Sequence, residues 1–246
     1  MRYREKLIFL LVVILLVIAL QLLLPGNPEL IQLYSLYVFQ PYQSLRSILF
    51  GNVPVSVGDL LYTAGFIILL LVIVRWVYYL IRFRKYRHHL GHSLIHTGTA
   101  VGVLYVLFFI GWGGNYYKPS LSEHWKLTMN TTASEHYLYD FDAYLVTQLN
   151  RLAPQYRGLR FREADKRAQQ YFREYTDSRT RMHGINAKGS IFGYFMQYLG
   201  IQGYYNPFTG EAQVNRFQPA FMLPFVVCHE MAHQAGVAAE DDANLL

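Results

Sequence analysis

The run His229-Glu230-Met231-Ala232-His233 sets two imidazoles four residues apart, with a carboxylate directly after the first. On a helix, positions i and i+4 share one face, so both rings reach a single Zn²⁺. Glu230 follows the first ligand and addresses a water on the metal instead of the metal itself. The preceding Phe225-Val226-Val227-Cys228 is apolar, which places the motif on a buried helix. Two unpaired buried imidazoles and a carboxylate would be strongly destabilising there, so incidental histidines are the weaker explanation. Gly236 is placed to end the helix with a left-handed cap.

A mononuclear zinc site needs a third protein ligand and an open position. Glu240 is the best candidate, because Glu240 and Asn244 are i and i+4 if the stretch Glu240-Asp241-Asp242-Ala243-Asn244 is helical. Glu240 then ligates the metal while Asn244 hydrogen-bonds a liganding histidine. Asp241 and Asp242 are weaker ligand candidates, and the rival reading makes all three acids a solvated first turn. Cys228 adjoins a ligand but lies about 100° round the helix, and it reads as core. His88, His89, His92 and His96 cluster without a carboxylate and read as interfacial, while His124, His136 and His183 have no identifiable partner.

The elements that must carry this site begin with three apolar runs, about 7–24, 60–81 and 94–112, each near the ~20 residues that cross a bilayer. The first is longer than a signal-peptide core and lacks a small-x-small cleavage site, so it reads as an uncleaved anchor. Arg75 lies near the basic end of the second, where its side chain snorkels. Gly98 and Gly102 form a GxxxG in the third, suited to close packing. Basic residues flank the N-terminus (Arg2, Arg4, Lys6) and fill the Arg82–Arg87 loop, whereas residues 25–59 hold only Arg46. The positive-inside rule therefore predicts a cytoplasmic N-terminus and everything after Trp112 outside. The Leu-, Tyr- and Phe-rich segment 29–50 is expected to lie along the membrane surface or pack under the exterior domain, and shows no chemistry of its own.

Outside, Leu138, Phe141, Leu145, Leu149 and Leu152 recur at helical spacing up to Pro154, and a charged helix is expected over about 163–175. The apolar and aromatic stripes of both helices read as core. Residues 190–205 read as extended, and the turn run Asn206-Pro207-Phe208-Thr209-Gly210 leads into a short strand over 211–215. The fold expected is a membrane-anchored α+β protein: a membrane region over 1–112, then an extracytoplasmic domain over 113–246 with a β-hairpin before the HExxH helix.

Composition agrees with that division. Of 246 residues 53% are hydrophobic and only 15% charged, and the apolar excess sits before Trp112. The net charge of +6 does not imply nucleic-acid binding, since much of it flanks the spans and the cluster from Arg157 to Arg181 is interleaved with acids. The single Cys228 excludes an intramolecular disulfide and leaves the compartment open.

The run from Gly203 to Ala212, then Pro224-Phe225, His229-Glu230, His233-Gln234, Gly236 and Glu240 to Asn244, resembles the bacterial uncharacterised-domain family 3810, and Asn115-Tyr116-Tyr117 fits the same pattern. The resemblance implies a zincin-like metallopeptidase of the gluzincin kind in the cytoplasmic membrane of a bacterium. His229, His233 and Glu240 would be the metal ligands and Glu230 the catalytic base. Members of that family continue past the Glu240–Asn244 segment, so the resemblance also implies a domain truncated at its C-terminus. The function expected is zinc-dependent peptide hydrolysis at a lipid membrane on a substrate the sequence does not name. The alternatives are a catalytically inactive zincin-fold scaffold or sensor and, with no ~20-residue span around the motif, the weaker reading of an intramembrane protease.

Overall fold

A computed structural model describes residues 3–127, 134–174 and 184–246; Arg2, Tyr175, Arg181 and His183 lie outside the described residues. The chain starts with α1 (Tyr3–Leu23), runs through α2 (Pro28–Tyr34), a π-helical turn (Ser35–Phe39) and α3 (Gln40–Phe50), and then pairs α4 (Val57–Ile81) with α5 (Phe83–Gly111). The helices α1, α4 and α5 are long and apolar enough to cross a membrane, and few of their side chains are buried within the protein. Helices apolar on every side are suited to lipid.

α5 packs against both α1 and α4. A Cβ on Gly102 would stand 2.7 Å from Val13, so this glycine admits the close approach of α1, whereas Gly98 has no described atom within 4 Å and the GxxxG works through one member only. The third helix is longer than its apolar run. It starts at Phe83, so the basic segment expected as a loop is helical after a tight turn at Arg82. Lys and Arg are good helix formers, and hydropathy registers only the apolar part of such a helix.

Beyond α5 come α6 (Leu121–His124), α7 (Glu135–Leu152), α8 (Phe161–Glu174), β1 (Ala187–Gly189), α9 (Gly193–Tyr198), β2 (Gly203–Asn206), β3 (Glu211–Val214), α10 (Leu223–Gln234) and α11 (Glu240–Leu245). The sheet order is β1-β3-β2, with β1 parallel and β2 antiparallel to β3. The hairpin turn works as its residues suggest: Asn206 Oδ1 accepts from Phe208 N and Thr209 N, and Gly210 takes a positive φ. α10 lies on β2 and β3 and against α8, and Val214, Val227, Met231 and Ala168 fill the core between them.

Two expectations need correction. Residues 190–205 are not continuously extended, because α9 occupies their middle. Ser190 Oγ accepts from Phe192 N at its start, the Tyr194 and Tyr198 hydroxyls meet at 2.8 Å one turn apart, and Gly200 at φ 69° follows its end. A short aromatic run does not by periodicity distinguish strand from helix. The apolar face of α7 is exposed, with no buried residue, whereas α8 buries Ala164, Ala168 and Phe172. Periodicity defines a face and leaves its partner open.

Buried polar groups join the segment between the first two long helices to the hairpin. Gln43 Nε2 and Gln234 Nε2 each donate to the Gly210 carbonyl at 2.8 Å. Arg46 donates to the carbonyls of Pro207 and Gly111 and to Gln43 Oε1. Lys188 pairs with Glu211 at 2.7 Å, and Glu211 in turn accepts from Val57 N and Gly58 N at the start of α4, where a carboxylate complements the helix dipole. Asp59 accepts from Ile191 N, Ser190 Oγ and Tyr204 OH. Glu211→Ala leaves the Lys188 ammonium buried without its countercharge, held only by the Phe50 and Val55 carbonyls, and is expected to destabilise the domain by about 3–5 kcal/mol. Glu211→Gln, which keeps an acceptor, should lose less. Denaturant midpoints of the purified chain would show this, and equal midpoints for wild type and Glu211→Ala would refute it.

Candidate metal centre

α10 enters through Pro224 in its first turn, a position whose missing N–H is not needed there. Its buried face carries Val226, Val227, Glu230, Met231, Ala232 and His233, so the apolar lead-in to the HExxH is interior as expected. Cys228 is partly buried against the core, and burial pushes its thiol up from the usual value. The helix stops at Gly236, at φ 86°, with Gly236 N bonded to His233 O and Val237 N to Ala232 O. This pair of bonds is the Schellman arrangement, which uses a left-handed residue to satisfy the last carbonyls. Any side chain at Gly236 would also collide with Phe39, since a Cβ would stand 2.4 Å from its ring.

This reversal returns the chain through α11, whose first residue is Glu240. His229, His233 and Glu240 then offer ligand atoms that all lie within 4.8 Å of one another. The two Nε2 atoms are 3.1 Å apart, Glu240 Oε2 is 3.1 Å from His229 Nε2, and Glu240 Oε1 is 3.5 Å from His233 Nε2. The histidines are largely buried and the Glu240 side chain is 76% exposed.

Each imidazole is oriented from its far nitrogen. His233 Nδ1 donates to the Val237 carbonyl at 2.7 Å and His229 Nδ1 to Asn244 Oδ1 at 2.9 Å. Nδ1 therefore carries the proton in both, and both Nε2 lone pairs face the same point. Burial holds His233 below the usual imidazole value. Trp112, at the end of α5, backs the pair: its ring meets His233 edge-on and its Nε1 donates to the His233 carbonyl. The Phe225 ring lies 5.9 Å from that of His229.

Glu230 stands apart from the three. It is 5% exposed, its Oε2 has no hydrogen-bond partner among the described residues, and a Cβ on Gly203 would lie 2.5 Å from its Oε1. Burial, followed by the charge of Glu240, pushes its carboxyl up to about 8. Only a glycine at the start of β2 leaves this carboxylate its space. Asp242 accepts from Leu121 N and anchors α11 to α6, and neither it nor Asp241 joins the cluster. His136 meets Asp140 across a turn of α7, away from the cluster, and His88, His89, His92 and His96 lie toward the opposite end of α5. The Val237 carbonyl, Trp112, Phe225 and Gly203 were not identifiable as parts of the site from sequence; only Gly203 and Phe225, inside the runs that resemble the family, carried any signal.

Fold and site together define a mostly helical α+β protein with three membrane-compatible helices, a small sheet and a His–His–Glu cluster on adjoining helices. Residues 34–246 match the family described as protein of unknown function (DUF3810), and the chain belongs to that family. No curated protein and no solved structure matches the chain.

Proposed function

We propose that this chain is a membrane-anchored, zinc-dependent peptidase with a zincin-like exterior domain, in which His229, His233 and Glu240 hold the metal and Glu230 is the proton carrier. The observation that carries this reading is the donor triangle. Ligands 2.0–2.1 Å from a tetrahedral Zn²⁺ stand about 3.3 Å from one another; here the two imidazole Nε2 atoms are 3.1 Å apart, one Glu240 oxygen is 3.1 Å from His229 Nε2 and the other is 3.5 Å from His233 Nε2, and one donor atom from each residue lies within 4.8 Å of the other two. Two neutral imidazoles with converging lone pairs repel unless a cation lies between them. Bound there, zinc would polarise a scissile carbonyl and make water more acidic.

The remaining steps belong to the protein. Glu230, whose buried Oε2 has no hydrogen-bond partner among the described residues, would take a proton from the attacking water, in the carboxylate form that a cation at the cluster favours, and deliver it to the leaving amine. Asn244 and the Val237 carbonyl fix the tautomer and angle of the two rings. β2 is an edge strand that begins beside Glu230, so an extended peptide can add to it with its backbone near the carboxylate.

Hydrolysis is tested by incubating the zinc-loaded full chain in detergent with a complex peptide mixture and reading new termini by mass spectrometry. Cleavage that requires zinc and is absent from Glu230→Gln supports the reading; no cleavage at full zinc occupancy sinks it. Asn244→Ala is expected to weaken zinc binding about 10–100-fold without loss of fold, as removal of a ligand's hydrogen-bond partner does. Competition with a chromophoric chelator measures this, and an unchanged affinity would remove Asn244 from the site. The topology proposed with this function is N-terminus in the cytoplasm and domain outside, following the basic flanks of the spans. A reporter fused after Gly114 should be active only outside the cytoplasm, and cytoplasmic activity would overturn the arrangement.

A further inference from the structure

The end of the bundle remote from the His–His–Glu cluster holds a second group of chemistry-bearing side chains that the proposed reaction does not use. A cavity of about 450 Å³ opens between α1, α4 and α5, lined by Lys6, Arg75, His89, His92 and His96 together with Tyr79 and Ser93. His96 is 16 residues before Trp112 on α5, which separates this cavity from the metal-centre end by roughly 24 Å of helix.

Three helices aim cationic or imidazole groups at this one space. Lys6 Nζ lies 2.6 Å from His96 Nε2. Arg75 donates to Ser93 Oγ at 2.9 Å, and Trp76 Nε1 donates to the same oxygen at 2.9 Å. Ser93 is thereby filled as an acceptor and holds the Arg75 fork in place, leaving further N–H donors of the guanidinium for another partner. Among the described residues no carboxylate lines the cavity, and Glu5, the one acid of α1, is not part of its wall. Residues that served only to set topology would spread into water. Here they converge.

The level of the cavity identifies the kind of anion. Lys6 directly precedes the apolar run of α1, Arg75 lies near the basic end of that of α4, and His96 lies near the start of that of α5. Exposed side chains on the apolar side of these residues include Leu7, Ile8, Leu71, Val74 and Val101. On the other side stands the basic hairpin around Arg82, Arg84, Lys85 and Arg87. Cation donors at the headgroup boundary, flanked by exposed hydrocarbon, suit a phosphate that carries acyl chains. Basic pockets between membrane helices recognise such lipids, and an arginine fork binds phosphate bidentately. We propose that this cavity binds the phosphate of an anionic phospholipid, with Lys6 and Arg75 as the charged contacts and the histidines as additional N–H donors.

The test uses the full chain in a non-ionic detergent, with lipid binding read by native mass spectrometry. Added phosphatidylglycerol is expected to bind as a single tight adduct, and phosphatidylcholine about tenfold more weakly. Lys6→Gln with Arg75→Gln should weaken the phosphatidylglycerol adduct by about tenfold or more, the loss expected for charge-assisted hydrogen bonds. Arg157→Gln with Arg160→Gln, both exposed in the exterior domain, should leave it unchanged. The charge-keeping exchange Lys6→Arg with Arg75→Lys should retain most of the binding, which separates loss of charge from loss of fold. Inorganic phosphate alone is expected to bind far more weakly than the lipid. Phosphatidylcholine binding equal to phosphatidylglycerol, or a Lys6→Gln, Arg75→Gln chain that binds like wild type, overturns the site. Inorganic phosphate binding as tightly as the lipid replaces the lipid with free phosphate and overturns the lipid assignment. Zinc occupancy is a separate readout, so failure here and failure of the peptidase reading are distinguishable.

Discussion

Replacing His229 or His233 by alanine should reduce zinc in the purified chain from about one equivalent to a small fraction of it. Each histidine supplies one Nε2 to a triangle whose third corner is an exposed carboxylate, so either loss leaves a single imidazole and a solvated glutamate. Structural zinc sites with a complete protein ligand set bind with about 10–16 kcal/mol of apparent free energy. Removing one of three ligands is expected to cost on the order of 3–5 kcal/mol, a weakening of about 10²–10⁴-fold. Metal analysis after size-exclusion chromatography, combined with chelator competition, reads both occupancy and affinity. Circular dichroism should show the helices retained, because α10 is held by Val226, Val227 and Met231 in the core and not by the imidazoles alone. Cys228→Ser is the control, since Cys228 is outside the cluster and should keep full occupancy. Stoichiometric zinc in His229→Ala or His233→Ala would refute the metal centre.

Glu230→Gln should have the opposite signature: full zinc occupancy with hydrolysis reduced by about 10²–10⁴-fold, the usual contribution of a positioned proton carrier. The substitution keeps size and shape in the tight space beside Gly203 and removes only the ability to accept and return a proton. Glu230 is not one of the clustered donors, so its replacement leaves the His229–His233–Glu240 cluster intact. The discriminating measurement is the pair of values, occupancy and turnover, on one preparation. Loss of zinc along with turnover would make Glu230 a ligand, and unchanged turnover would remove it from the reaction. Glu240→Ala is the companion variant. It should weaken zinc binding while leaving α11 anchored through the Asp242 bond to Leu121 N.

Local signals in the chain make the central features legible. The i, i+4 spacing of His229 and His233 is a property of helix geometry, and Gly236 marks the end of that helix because a left-handed cap favours glycine. The apolar runs identify all three long helices. The Asn206–Gly210 run identifies the hairpin through its turn chemistry. These features need only neighbours in the chain.

What failed or stayed hidden depended on partners far away in sequence. The apolar face of α7 was plain, but its exposure was not, since periodicity carries no information on what covers a face. Arg46 looked like an isolated charge in a loop without chemistry. It is nearly fully buried because Gly111, Pro207 and Gln43 bring oxygens to its guanidinium from three places in the chain. The orienting partner of His233 is a backbone carbonyl, which no side-chain pattern marks, whereas Asn244, which meets His229, was legible from its spacing to Glu240. The sequence by itself determined which residues can ligate a metal and which helices can enter a membrane, because both follow from residue type and helical period. Only the tertiary structure decided that Glu240 meets the imidazoles and that Lys6, Arg75 and His96 share one cavity. Convergence of that kind arises from the reversal at Gly236 and the packing of α1 and α4 against α5, and packing is a relation between segments that no single segment encodes.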